Sequence, residues 1–80
     1  MSLPVRQEEE VTVFRLTQER KRRGLSQAAV SRLTGIHPAV ISQLEAGKVH
    51  PYAGWKRRLS EALGVPGDEL FERVDDDCPV

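Results

Sequence analysis

Apolar positions along this chain recur at helical spacing in short stretches, and glycine or proline closes each stretch early. The first stretch predicts a helix from about Val13 to Arg23, with a thin apolar side at Val13 and Leu16 and Gly24 as its stop. Ser26 suits the N-cap of a second helix, Gln27 to about Thr34, with Val30, Leu33 and Thr34 at helical spacing and Gly35 at its end. After the tight Gly35-Ile36-His37 turn, Pro38 fits the first position of a third helix, Pro38 to Ala46, closed by Gly47. A fourth helix, roughly Tyr52 to Leu63, turns Trp55, Leu59, Ala62 and Leu63 inward and Lys56, Arg57 and Arg58 outward. A fifth, about Asp68 to Arg73, adds Leu70 and Phe71. The pattern predicts an all-α domain of five helices. One run competes with it: Val11-Thr12-Val13-Phe14 is β-prone, and extended it would pair with a second chain.

The third helix has two unlike faces. Val40, Ile41 and Leu44 follow the spacing of a face packed on a core, whereas Pro38, Ala39, Ser42 and Gln43 are short, uncharged and project elsewhere. A core-facing role is also expected for Trp55, through its place on the inward side of the fourth helix.

Eighty residues allow one small domain, expected over residues 11–74, between a flexible N-terminal arm (1–10) and an acidic C-terminal tail (75–80). No run approaches the roughly 18 apolar residues of a spanning helix. The acids Glu8, Glu9 and Glu10 do not fit a secretory signal, so a cytoplasmic protein without membrane contact is expected. A single cysteine, Cys78, rules out a disulfide framework within the chain and is taken as a bystander. Neither His37 nor His50 has a thiol or carboxylate at ligand spacing, and no metal or cofactor is expected. Nor is there a nucleophile–base arrangement, a paired catalytic carboxylate or a phosphate loop, so no enzyme is expected.

Charge changes this picture most. The formal net charge is zero, yet residues 15–58 carry ten basic side chains against two acids, a local +8. Residues 59–80 hold seven acids against Arg73, and residues 1–14 three against Arg6. Such segregation points to a middle that faces a polyanion.

From Leu16 to Phe71 the chain resembles the phage-repressor and Cro type of helix-turn-helix regulator, the Xre-like family. The residues that carry the resemblance are Arg20 with Gly24-Leu25-Ser26-Gln27, Gly35-Ile36, Ile41-Ser42-Gln43-Leu44-Glu45-Ala46-Gly47-Lys48, Ala62-Leu63-Gly64-Val65, and Asp68-Glu69-Leu70-Phe71. The chain departs from the family pattern at Glu19, where an apolar residue is usual, at Ser31 in place of alanine and at Thr34 in place of leucine.

The resemblance implies a five-helix, lambda-repressor-like fold with the third helix lying in the major groove of double-stranded DNA. Base contacts are then expected from Gln43, Ser42, Ala39, Pro38 and His37, and phosphate contacts from Gln27, Lys48, Arg23 and Arg32. An ion pair between Arg20 and Glu45 is implied as well. A homodimer on a pseudo-palindromic operator is expected, with Phe71 and Val74 at the dimer interface. A toxin or polymerase is the candidate protein partner. The competing expectation is a protein-interaction module, or an antitoxin-type partner, that keeps the helix-turn-helix fold without reading DNA.

Overall fold

A computed structural model of the chain describes residues 12–75, and every structural statement below concerns those residues. In chain order the elements are β1 (Thr12–Phe14), α1 (Arg15–Arg22), α2 (Gln27–Thr34), α3 (Pro38–Glu45), α4 (Ala53–Leu63), α5 (Gly67–Leu70) and β2 (Arg73–Asp75). Five helices carry the domain, as the periodicity implies. The expected N-terminal arm, Cys78 and all of the acidic tail except Asp75 lie outside the described residues.

The two strands correct the ends of the all-helical reading. Val13 and Phe14 are extended, following Thr12 in β1, rather than the first turn of α1, and Arg73 belongs to β2 rather than to α5. The strands run antiparallel, with Thr12 opposite Asp75, Val13 opposite Val74 and Phe14 opposite Arg73. The N–H of Arg15 donates to the Glu72 carbonyl at 2.9 Å, continuing the pairing into the first residue of α1. The β-prone run thus pairs its Thr12–Phe14 part within its own chain, against a partner some sixty positions away that no local pattern announces.

Ser26 caps α2, its side-chain oxygen accepting from the Ala29 N–H at 3.0 Å. The helix buries Val30 and Thr34, while Leu33, expected inward, is 59% exposed. Thr34 tolerates burial because its hydroxyl donates to the Val30 carbonyl (2.8 Å) and accepts from the Ile36 N–H (3.2 Å). Turning Thr34 inward rotates Leu33, one position earlier, out to solvent. Gly35 then adopts φ 75°, a left-handed conformation that costs a glycine little and lets α3 cross α2.

Leu16, Val30, Ile36, Ile41, Leu44, Leu59, Leu63, Val65 and Leu70 form the core, with Phe14, Val40, Trp55 and Phe71 half-buried around it. Close approach decides one further position. A Cβ on Gly67 would sit 2.9 Å from the Lys56 carbonyl oxygen, so only glycine lets α5 start against the backbone of α4.

Candidate nucleic-acid interface

The orientation of α3 follows from two fully buried residues. Ile41 is 0% and Leu44 1% exposed, three positions apart on one side of the helix. The opposite side must then face outward, and Pro38, Ala39, Ser42 and Gln43 are all exposed. His37 stands at the head of this face as the N-cap, its Nδ1 accepting from the Ala39 N–H at 3.0 Å. With Nδ1 engaged by the Ala39 N–H, Nε2 is the ring nitrogen left for an outside partner. The structure therefore brings all five residues assigned to base contact onto one exposed helical face and its cap. Only Ser42, Gln43 and His37 offer polar atoms there, whereas Pro38 and Ala39 present hydrocarbon.

Behind this face, α3 is tied to the two preceding helices through one carboxylate. Arg20 of α1 meets Glu45 with two bonds, Nε to Oε2 at 2.7 Å and Nη2 to Oε1 at 3.0 Å, and its Nη1 donates to the Leu25 carbonyl at 2.9 Å. The two side chains are 13% and 7% exposed, so water screens the pair little. The Gln27 amide at the start of α2 also donates to Glu45, Nε2 to Oε1 at 2.9 Å. Gln27 is thus held in one position by the ion pair, an arrangement that sequence spacing does not show.

The four residues assigned to phosphate fall into two kinds. Lys48, which follows the turn closing α3, and Arg32 of α2 are exposed, and their side chains make no ion pair or hydrogen bond among the described residues. Gln27 and Arg23 are engaged. Arg23 donates through Nη1 to the Glu19 carboxylate and carbonyl, and through Nη2 to the Leu63 carbonyl at the end of α4 (2.6 Å). Its guanidinium therefore joins α1 to α4. Arg58, expected only to project outward from the fourth helix, comes to the helix-turn-helix: its Nη1 lies 3.8 Å from where a Gly35 Cβ would stand. The signal for it was local, since the adjacent Leu59 must face the core.

Glu19, the chain's departure from an apolar pattern, is 6% exposed and surrounded by arginines. Arg15 Nε lies 3.1 Å from its carboxylate, and Arg23 meets the other oxygen. The hydrogen bond from Arg23 is the main reason the Glu19 carboxyl is held below its ordinary range, against the opposing effect of burial.

Phe71 and Val74, expected at a dimer interface, are both half-buried within one chain. Phe71 packs edge-on against Phe14 with ring centres 5.7 Å apart, and Val74 sits opposite Val13. No helix among the described residues is long and apolar enough to cross a membrane. In comparisons with known proteins, a family model described as a helix-turn-helix domain matches residues 13–72. No curated protein and no solved structure matches the chain significantly.

Proposed function

We propose, since the chain belongs to the helix-turn-helix domain family, that it is a sequence-specific transcription regulator of the Cro and phage-repressor kind, acting in the cytoplasm. Membership itself implies DNA binding and transcriptional regulation. The finer reading is that a homodimer binds a pseudo-palindromic operator, each copy laying α3 in the major groove. The observation that carries it is the division of α3 into a buried Ile41–Leu44 side and an exposed side of His37, Pro38, Ala39, Ser42 and Gln43.

Gln43 is the principal polar reader in this account. A glutamine amide offers a donor and an acceptor side by side, which matches the N6/N7 edge of adenine. Pro38 and Ala39 supply apolar contact to a thymine methyl, and Ser42 and the His37 Nε2 supply single hydrogen bonds. Lys48 and Arg32 contact phosphates as charges, and Gln27, held by Glu45, offers its remaining amide hydrogen to a phosphate at the start of α2. Arg58 joins this set beside the Gly35 turn. Arg23 serves the fold.

The test is selection of bound fragments from a random DNA pool, followed by affinity measurements on the selected operator and on random DNA. Gln43→Ala is expected to lose about 1–3 kcal/mol of operator binding per half-site. Its binding to random DNA should stay unchanged. A constant ratio of the two affinities would remove Gln43 from the readers. Failure to enrich any sequence would favour the protein-interaction alternative.

A further inference from the structure

A concave site, separate from the exposed face of α3, lies beside the turn that closes that helix. It is a cavity of about 380 Å³ whose walls come from distant parts of the chain. Its apolar lining is Phe14 of β1, Phe71 after α5, and Val49 and Pro51 from the α3–α4 loop. Phe14 makes the edge contact with Phe71 and has the Arg73 guanidinium 4.5 Å from its ring centre. The polar side chains at this cavity are Lys48, His50 and Lys56, and no acid lines it. The groove on the other side of Lys56 differs, because Glu61 and Asp68 line it together with the cations. Lys56 gives one bond to Asp68 at 2.9 Å, whereas the Lys48 ammonium is paired with nothing among the described residues.

We propose that this cavity binds a small organic carboxylate with an aromatic or branched aliphatic body, the carboxylate meeting Lys48 and His50 and the body lying between Phe14, Phe71 and Val49. Two features select this class. The volume falls in the range of small-molecule sites, about 300–1,000 Å³. The apolar walls with cations and no acid match an anion that also carries hydrocarbon, because contact with those walls removes apolar surface from water and an inorganic anion has none to remove. The site goes beyond the DNA-binding reading and adds a consequence to it. Lys48 has been placed on a phosphate, so a ligand that takes Lys48 and the DNA backbone compete for the same ammonium, and each weakens the other's binding by the same factor.

The experiment is an amide NMR titration of the full ¹⁵N-labelled chain with 2-naphthoate, in the absence of DNA. Saturable shifts are expected at the amides of Gly47, Lys48, Val49, His50 and Phe71. Uncharged 2-naphthamide should bind about tenfold more weakly, and Lys48→Glu should cost 2-naphthoate about tenfold while leaving the fold intact, Lys48 being exposed. The proposal is overturned by shifts that do not saturate, or by equal affinity for the amide. It also fails if inorganic phosphate shifts the same resonances as tightly, which would make the cations a plain oxyanion contact. Movement of these amides with protein concentration alone would show a second copy covering the site and would likewise overturn it. A chain that binds naphthoate but no DNA sinks the regulator reading and leaves the cavity standing, whereas operator binding without naphthoate shifts sinks the cavity alone.

Discussion

Helices α1 and α3 are the same length, eight residues, but dock by different physics. The packing of α3 rests on Ile41 and Leu44, both fully buried hydrocarbon. In α1 only Leu16 plays that part, and its other buried residues are Thr17, Gln18 and Glu19. Polar contacts hold α1 instead. Gln18 donates to the Asp75 carbonyl, Arg15 reaches Glu69, Arg23 reaches Leu63, and Arg20 grips Glu45. Apolar docking is non-directional and barely sensitive to pH, whereas a charge network is directional and titrates. The two helices meet at Arg20–Glu45, so the helix proposed to read DNA is braced by one whose own seating depends on charge.

The largest expected effect breaks that brace. Arg20→Met leaves Glu45 without its main partner in a water-poor place and should cost about 3–5 kcal/mol of unfolding free energy in urea. Adding Glu45→Leu to the same chain should recover most of the loss, because the stranded charge is then gone. A single-variant loss below about 1 kcal/mol would reduce the pair to a surface contact.

Leu44→Ala attacks the apolar mode of docking and is expected to cost about 2–5 kcal/mol. That loss should be nearly the same in neutral and in acidic solution, since nothing it removes titrates. A strongly pH-dependent loss would blur the distinction between the helices.

Glu19→Gln sharpens the contrast from the other side. The folded Glu19 carboxyl titrates below its ordinary range, chiefly through Arg23. The stability it contributes is therefore fully present above the unfolded pKa and is lost as pH falls through the lower, folded one. Wild type should be the more stable chain at neutral pH, with the gap between the two melting temperatures narrowing as acid protonates Glu19. A gap that stays constant with pH would mean that Glu19 acts through the second accepting oxygen, which the amide lacks, rather than through its charge.

The smallest stability effect is expected at Lys48, which belongs to neither mode of docking. Lys48→Ala should change unfolding by no more than about 0.5 kcal/mol. The slope of log affinity for DNA against log salt, expected near −4 to −5 for roughly four to six phosphates per dimer, should flatten by about 0.9 for each contact removed. An unchanged slope would take Lys48 off the backbone.

Much of the helix-turn-helix was legible in the residues. Ser26 and Pro38 mark helix starts, Gly35 and Gly47 mark ends, and the spacing of Ile41 and Leu44 decides which side of α3 is exposed. Each of these signals acts within about four residues of chain, the reach of a helical hydrogen bond or a cap, so a single pass along the sequence contains it. The exposed face of α3 follows from the same pattern, and with it the residues proposed to read bases.

What only the tertiary structure decided involves partners far apart in the chain. Thr12–Phe14 becomes a strand because Arg73–Asp75 lies beside it, and a β-prone run cannot state which distant segment will satisfy it. Thr34 goes to the core and Leu33, expected on the same side, turns out to solvent, because the Thr34 hydroxyl finds one hydrogen-bond partner in its own helix and one in the turn. Arg23 is drawn to the last carbonyl of α4, Gln27 to Glu45, and Phe71 to Phe14, each across a gap that local spacing does not encode. Backbone conformation is settled by neighbours in sequence, whereas the partner of a buried charge, amide or ring is settled by whatever the fold places within a few ångströms of it.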